Sequence, residues 1–302
     1  MDGILNLLKP PGMTSSNAVV DVRRLFHEKK VGHTGTLDPG AAGVLPICLG
    51  KATRLFDYLV EKEKEYIAEI SFGTATDTLD SYGTVTRTQE GRVEGETLRS
   101  ALPDFLGEQW QIPPMYSAVK LDGKKLYQLA RRGEEVELVS RKRRIVIEEL
   151  ELLEQTGENR FLLKIRCSKG TYVRVLCADI GERLSLPCHM SFLLRSRSGP
   201  FMLDGSLTLN EAGELIEAGE IERALTPMDQ ALCFLPEAVA EDSAMRFLRN
   251  GNPVPLERVS PCETGRLHRV YCGGIFAGIG IAKEDRLVMK TLLMHINSPE
   301  ED

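Results

Sequence analysis

The chain has 302 residues, of which 42% are hydrophobic and 27% charged, and its formal net charge is −6. These values are ordinary for a globular protein in water and allow one large domain or two unequal ones. The first residues lack the basic and then apolar regions of a secretory signal, and no run of about 18 apolar residues predicts a membrane span. We therefore expect a cytoplasmic protein without a membrane partner.

Cysteine and histidine spacing argues against a metal site. The seven cysteines are scattered without a C-x-x-C pair, and an odd number in a chain of this size predicts reduced thiols. The five histidines show no spacing typical of zinc ligands. Neither G-x-x-x-x-G-K-[ST] nor G-x-G-x-x-G occurs, so the common nucleotide-binding loops are excluded. We expect neither a metal nor a cofactor.

Charge is distributed unevenly along the chain. Residues 117–144 contain nine basic and four acidic residues, whereas residues 211–242 contain nine acidic residues and one basic residue. Because local charge decides where phosphates bind, the first segment is a candidate for contact with nucleic acid and the second should face away from it. The alternative for the first segment is a charged helix face that contacts only solvent.

The N-terminal part alternates between strand and helix signals. Residues 3–8 are apolar and predict a strand, which Lys9-Pro10-Pro11-Gly12 should end. Thr14, Ser15 and Ser16 are good N-caps for a helix that runs to about Phe26.

The next stretch, Val31–Leu49, reads VGHTGTLDPGAAGVLPICL. Its glycines allow tight turns, and Pro39 favours an extended conformation for Asp38, so a helix should not run through this carboxylate. The apolar residues 44–49 predict a buried strand. Asp38 is therefore a candidate catalytic group on a stiff loop, and the alternative is an Asx-turn that caps a purely structural loop.

A second strand is predicted at Glu65–Phe72, after a helix over Lys51–Val60. Alternation places Tyr66, Ala68, Ile70 and Phe72 on one face. The loop that follows contains Asp77 and Asp80, but it lacks the alternating oxygens and closing glutamate of a calcium loop. We expect a polar hairpin there.

The remaining elements follow the same rules. Proline at 113 and 114 excludes a continuous helix there, and Thr171 is a plausible N-cap for a helix carrying Leu176, Ile180 and Leu184 on one face. From Ala244 onward, glycine turns and short apolar runs predict a small β-rich module. The other predicted elements are a helix at 95–106, a short basic helix at 123–132, paired strands at 141–150 and 161–167, and a helix near 210–220.

Several stretches resemble one family. G-H-T-G-T-L-D-P-x-A-x-G-V-L-P-I is very similar to the catalytic motif of the TruB family, the tRNA pseudouridine-55 synthases. Further similar blocks are K-P-x-G-x-[TS]-S, K-x-Y, T-D-T-x-D-x-x-G, PPMYSAVK-x-x-GKKLYxLAR, S-K-G-T-Y-[IV]-R and HMSFLLRSR, so the resemblance spans Leu5 to Arg197. The C-terminal FLRNGNPV, GIFAGIGIA and DRLVMKTLL resemble a PUA domain, although a module used only for packing would look alike.

The resemblance implies three catalytic residues. The motif aspartate maps onto Asp38, which must be ionised to act as a nucleophile or as an electrostatic stabiliser. Arg174 is the guanidinium expected beside it, where it would keep the pKa of the carboxylate low. Tyr66 would stack on the uracil and take part in proton transfer from C5.

The resemblance also implies contacts with the RNA. Tyr172 and Leu194 would form the rest of the base pocket. His33 would fill the space left by the flipped base, and the alternative is that His33 only orients its loop. The basic insertion, residues 117–144, would reach along the T-arm of tRNA through a basic face that includes Lys124, Lys125 and Arg131.

The implied fold is α+β, a pseudouridine-synthase fold with a mixed, mostly antiparallel central sheet and a small C-terminal β-barrel-like, PUA-type module. We predict a catalytic domain at 1–233 and an RNA-binding module at 234–302. The expected activity is isomerisation of the T-loop uridine of tRNA by a monomer that binds the T-arm stem-loop. Two alternatives remain open: the catalytic subunit of a guide-RNA particle, and a non-catalytic tRNA-binding or tRNA-folding protein.

Overall fold

A long mixed sheet organises the first part of the chain in the computed structural model, which describes residues 1–117, 119–121, 123–130, 132 and 139–294. The strands of this part are β1 (Gly3–Lys9), β2 (Val31–His33), β3 (Ala42–Leu49), β4 (Lys64–Phe72), β5 (Thr74–Thr76), β6 (Val85–Thr88), β7 (Gly107–Gln111), β8 (Lys120–Leu121), β9 (Lys124–Lys125), β10 (Arg143–Gly157), β11 (Arg160–Cys167), β12 (Cys188–Ser198) and β13 (Phe201–Met202).

The strand order of the main sheet is β1-β3-β12-β4-β11-β10-β7, with β2 paired to β3 and β13 to β12. Only β3 and β12 pair in parallel among these described strands. The predicted mixed, mostly antiparallel sheet is confirmed. β5 and β6 form a separate hairpin, as predicted for the polar segment after β4.

One face of the sheet packs against helices. The helices described in this part of the chain are α1 (Ser15–Leu25), α2 (Phe56–Val60), α3 (Gly95–Ala101), α4 (Leu126–Ala130), α5 (Val173–Arg183), α6 (Leu209–Glu217) and α7 (Ile221–Ala224). The main hydrophobic core lies between this face and α1, α3, α5 and α6. Tyr66, Ala68, Ile70 and Phe72 of β4 all point into it, which confirms the predicted alternation.

Local sequence signals fix the first helix but not the fifth. Thr14 caps α1, because its hydroxyl accepts the N–H of Asn17 at 3.0 Å, as predicted. The N-cap of α5 is Tyr172, which makes no side-chain cap bond. The prediction that Thr171 caps this helix is wrong, because its hydroxyl donates to the carbonyl of Ser168 instead.

Three predicted helices are shorter or tighter than expected. Gly50–Leu55 is a 3₁₀ helix that leads into α2, and Leu102–Phe105 continues α3 as a 3₁₀ turn around Pro103. Among the described residues of the segment predicted as a short basic helix, Leu126–Ala130 is helical, after the small hairpin of β8 and β9.

The C-terminal module is a second sheet with its own core. Its elements are β14 (Glu237–Ala240), α8 (Met245–Arg249), β15 (Val254–Pro255), β16 (Val259–Ser260), β17 (Leu267–Cys272), β18 (Ile275–Lys283) and β19 (Arg286–Leu292), and the strand order is β15-β19-β18-β17-β14-β16. Ile279 and Leu293 of this module pack with Val44 and Leu55 of the first part, so the two cores are joined by a third apolar cluster. None of the helices formed by the described residues has the length and apolar character needed to cross a bilayer.

Candidate active site

Asp38 lies on the loop between β2 and β3, residues 34–41, which we call the aspartate loop. Buried polar groups hold this loop by its backbone. The hydroxyl of Ser15 accepts the N–H of Leu37 at 2.9 Å and donates to its carbonyl at 3.0 Å. The ammonium of Lys9 donates to the carbonyl of Pro39 at 3.3 Å, and so does the N–H of Gly12 at 2.8 Å. The position of Asp38 is therefore set by bonds on both sides of it.

The carboxylate of Asp38 pairs with Arg174 of α5, at 2.9 Å from Oδ2 to Nη2. The side chain of Arg174 is only 4% exposed, and its other donors reach the carbonyls of Thr78 and Tyr116, both at 2.9 Å. Asp80 lies 3.7 Å away on the other side of the guanidinium. The structure thus brings the predicted aspartate and arginine together, in an ion pair rather than the Asx-turn considered as an alternative.

The pKa of Asp38 differs in direction from the sequence-based expectation. The side chain is 36% exposed, so the site is open at this point, yet the surrounding loops withdraw water from the carboxylate and raise its pKa. The charge of Arg174 lowers the pKa but does not outweigh this burial, and Asp80 adds to the rise. The expectation of a low pKa is wrong, because loss of hydration outweighs the ion pair.

Tyr66 lies at the centre of the sheet, on β4, with 9% of its surface exposed. Burial raises the pKa of its phenol, while the charge of Arg195 and a hydrogen bond from it lower that pKa. Asp38 is also close enough for its charge to raise the pKa of this phenol. The three residues predicted as catalytic therefore form one electrostatic unit at the junction of β4, α5 and the aspartate loop.

Leu194 does not share this face of the sheet. It pairs with Ile67 of β4, whereas its neighbour Arg195 pairs with Tyr66. Because side chains alternate along a strand, Leu194 points to the opposite face from Tyr66. Leu193 is buried in the same core cluster as Tyr66, so Leu193 has the geometry that was expected of Leu194.

His33 and Tyr172 lie at the ends of the elements that flank the site. His33 is the last residue of β2, its Nδ1 accepts the N–H of Gly35 at 3.3 Å, and burial lowers its pKa. The backbone of Tyr172 exchanges two hydrogen bonds with the buried amide of Gln111, and the guanidinium of Arg143 lies 5.2 Å from its ring. Both residues are half-buried.

Of the three basic residues predicted to contact RNA, the structure describes two. Lys124 is exposed on β9, and Lys125 follows it in the same strand. Arg131 lies outside the described residues. Leu126 and Leu129 anchor α4 by burial, so this part of the insertion is held by two apolar side chains.

Three residues beside the predicted site were missed as functional candidates. Lys9 is fully buried, and burial lowers its pKa to about 8. Asp80 was assigned only to a hairpin, yet it faces Arg174. Arg195 is 1% exposed in the middle of β12. A cation at a position that alternation makes inward-facing is the one sequence signal that could have singled out Arg195.

The described residues contain no group of three or more His, Cys, Asp or Glu side chains that could hold a metal ion. The groups available for chemistry at this site are therefore a carboxylate, a phenol and buried cations. Such a set can stabilise developing charge and move protons.

Comparison with known proteins identifies the family. The TruB family pseudouridylate synthase N-terminal domain matches residues 23–173, and the tRNA pseudouridylate synthase B C-terminal domain matches residues 174–233. The tRNA pseudouridine synthase B of Caldanaerobacter subterraneus subsp. tengcongensis is 45% identical over 97% of this chain and 99% of its own length. That of Pelotomaculum thermopropionicum is 47% identical over 86% and 83%, and that of Bacillus subtilis is 45% identical over 83% and 82%.

Solved structures give a similar result. A chain of a Cbf5-Nop10-Gar1 complex superposes with a TM-score of 0.77 at 27% identity, over 98% of this chain and 86% of that one. A chain of an H/ACA RNP bound to a substrate RNA containing 2′-deoxyuridine superposes with a TM-score of 0.76 at 25% identity, over the same shares. With its sequence matched by the family's domains and nearly its whole length aligned to curated relatives, the chain belongs to the TruB family of pseudouridylate synthases.

Proposed function

We propose that this protein converts the T-loop uridine of tRNA, position 55, to pseudouridine. The observation that carries the proposal is the Asp38–Arg174 ion pair on the aspartate loop beside Tyr66. The proposal is also supported by relatives, because proteins named tRNA pseudouridine synthase B align over as much as 97% of the chain. The reaction is an isomerisation, so it needs neither an oxidant nor a second substrate.

The chemistry requires that the N1–C1′ bond of uridine breaks, that the base turns and that C5 joins C1′. An ionised Asp38 can serve by adding to C1′, by adding to C6, or by stabilising the separated sugar. Arg174 holds this carboxylate in place through their ion pair. At the end, the C5 proton leaves the new C-glycoside and passes to the oxygen of Tyr66, which first loses its own proton.

The uridine must leave its stack to reach Asp38, which costs a few kcal/mol of stacking and pairing. We assign His33 to the space left behind, because its half-buried imidazole ends β2 directly before the aspartate loop. Tyr172 and Leu193 would then line the base pocket. In this assignment Leu193 replaces Leu194, which faces away.

The basic insertion would contact the T-arm. Its exposed Lys124 and the basic run that ends at Arg144 supply charge for phosphates without base-specific geometry. We also propose that residues 1–233 form the catalytic domain, that the module from residue 234 adds RNA-binding surface, and that a single chain suffices.

A guide-RNA subunit is the second candidate, since the chains of H/ACA complexes superpose with TM-scores of 0.76 and 0.77. One experiment separates the two. The purified protein is incubated with an unmodified tRNA transcript and no guide RNA, and pseudouridine is mapped along the product. We expect modification at the T-loop uridine alone. A transcript that stays unmodified until a guide RNA is added would favour the second candidate, and no modification under either condition would favour a non-catalytic role.

A further inference from the structure

Arg195 is a buried cation at the centre of the main sheet. It lies on β12 between β3 and β4, where it pairs with Gly43 on one side and with Tyr66 on the other. A side chain at Gly43 would meet the backbone of Arg195, since a Cβ there would lie 2.2 Å from its carbonyl oxygen. The two strands therefore close tightly over this residue, and its guanidinium is directed to the site side of the sheet.

The guanidinium hydrogen-bonds to the backbone of the aspartate loop and of β3, the strand that follows it. It donates to the carbonyls of Val44 at 2.7 Å, Gly35 at 3.2 Å and Thr36 at 3.5 Å. No carboxylate among the described residues forms an ion pair with it. A buried charge without a counter-ion is costly, and carbonyl bonds alone do not require a full positive charge.

The groups around Arg195 show where its charge acts. Lys9 and Lys64 lie nearby; burial lowers the pKa of each, and the charge of Arg195 lowers it further. His33 is affected in the same way. Tyr66 lies directly opposite Arg195 in the strand pair and, among the described groups, favours the charged form of Arg195. Directly opposed residues on antiparallel strands have Cβ atoms about 5 Å apart, so the guanidinium and the phenol are within reach.

We propose that Arg195 is a positioning residue that joins the two halves of the site: it fixes the aspartate loop through Gly35 and Thr36, and it holds the phenol oxygen of Tyr66 as the acceptor of the C5 proton. This inference rests on the proposed function. In the step concerned, the neutral phenol of Tyr66 first gives its proton to water, and the charge of Arg195 favours this loss against the effect of burial. The C5–H bond then breaks, its electron pair restores the C5–C6 double bond, and the proton passes to the phenolate oxygen, which restores the phenol.

The test compares three variants in single-turnover reactions on tRNA transcripts whose uridines carry hydrogen or deuterium at C5. Arg195→Gln removes the charge, and we expect turnover about 100-fold slower, with a C5 isotope effect above that of the unaltered enzyme, because proton transfer becomes limiting. Ser15→Ala is the matched control, since it frees the same loop at Leu37 without touching Tyr66. It should slow turnover and leave the isotope effect unchanged.

Arg195→Lys keeps a charge that can titrate. The neighbouring buried lysines, Lys9 and Lys64, each have a pKa lowered to about 8. A lysine at 195 can lose its charge in this buried site, whereas Arg195 keeps it, so we expect Arg195→Lys to lose more turnover than the unaltered enzyme as the pH rises from about 7 to about 9, while its tRNA affinity stays within about threefold. The pH profile of Arg195→Lys therefore tests the role of Arg195 even if Arg195→Gln does not fold.

Two results would overturn the inference. One is a slowed Arg195→Gln with the isotope effect of Ser15→Ala, which would reduce Arg195 to an anchor of the loop. The other is a pH profile of Arg195→Lys that has the same alkaline limb as the profile of the unaltered enzyme. Both differ from failure of the proposed function, in which the unaltered protein forms no pseudouridine in the transcript.

Discussion

The aspartate loop and the basic insertion represent two different ways of building a site. The loop is held at its backbone by side chains that are themselves buried, Ser15, Lys9 and Arg195. The insertion contains, where it is described, two-residue strands, the short helix α4, a 3₁₀ turn at Val139–Arg141 and the first residues of β10, and its Lys124 is exposed. One region is fixed by many internal bonds, and the other presents charge on short elements.

This difference matches what each region has to do. A nucleophile must be held near its productive geometry, and small displacements cost large factors in rate. Contacts with phosphates act through charge over several ångströms and tolerate variation in position. Substitutions in the loop should therefore change turnover more than binding, and substitutions in the insertion should do the reverse.

The largest effect is expected from Asp38→Asn. The amide cannot serve as the anion, and Arg174 keeps only Asp80, among the described residues, as an ion-pair partner, so turnover should fall by about 1,000-fold or more. Tritium release from 5-tritiated uridine in tRNA measures the loss, and filter binding should give a tRNA affinity within about threefold of the unaltered protein. Turnover near normal would remove Asp38 from its role.

Arg174→Gln should come next, with turnover reduced by about 100-fold and a shifted pH profile. The pKa of Asp38 is already raised by burial, and Arg174 lowers it, so removing the cation should raise it further. Since the reaction needs the ionised carboxylate, the acid limb of kcat/KM should move to higher pH, whereas Arg174→Lys should keep it nearer to normal. A loss confined to tRNA binding would make Arg174 a phosphate contact instead.

The sequence predicted more of the sheet than of the site. Alternation was sufficient to place Tyr66 on the core face and to pair β10 with β11, because each pattern is local and repeats every second residue. It was not sufficient for the ion pair of Asp80 with Arg174 or for the bond of Lys9 to Pro39, because each joins residues that are distant in the chain. The sequence predicted Leu194 for the base pocket, but the neighbouring Leu193 is the residue that faces the core. Only the pairing of β12 with β4 shows this.

The pKa of Asp38 was wrongly predicted for a related reason. A neighbouring guanidinium can be guessed from a motif, but the loss of hydration around a carboxylate depends on several segments that close over it. Here the aspartate loop, the hairpin segment with Asp80 and the start of α5 all contribute. Burial is a property of the assembled fold, so its electrostatic effect could not be read from spacing.

A moderate effect is expected from Ser15→Ala. It leaves the N–H and carbonyl of Leu37 without their partner, which should cost about 1–3 kcal/mol of unfolding free energy and slow turnover about tenfold. The neighbouring Thr14→Ala removes a helix cap and should cost about 1 kcal/mol while leaving turnover nearly unchanged. Chemical denaturation and tritium release together test the pair. Equal turnover losses in both variants would mean that general destabilisation, not the loop, limits the reaction.

The smallest effect is expected from Lys124→Gln in the basic insertion. Removing one phosphate contact should weaken tRNA binding a few-fold at low salt and reduce the slope of log affinity against log salt by about 0.7–0.9, with single-turnover rates at saturating enzyme unchanged. Arg223→Gln removes an exposed charge from the acidic segment 211–242 and is the matched control, since its pair with Glu220 is surface-exposed and contributes little. If both variants gave the same salt slope as the unaltered protein, Lys124 would be a solvated charge and the insertion would have to bind RNA elsewhere. A fall in the saturated rate without a change in slope would instead show that this region acts on the chemistry, against the division of roles argued above.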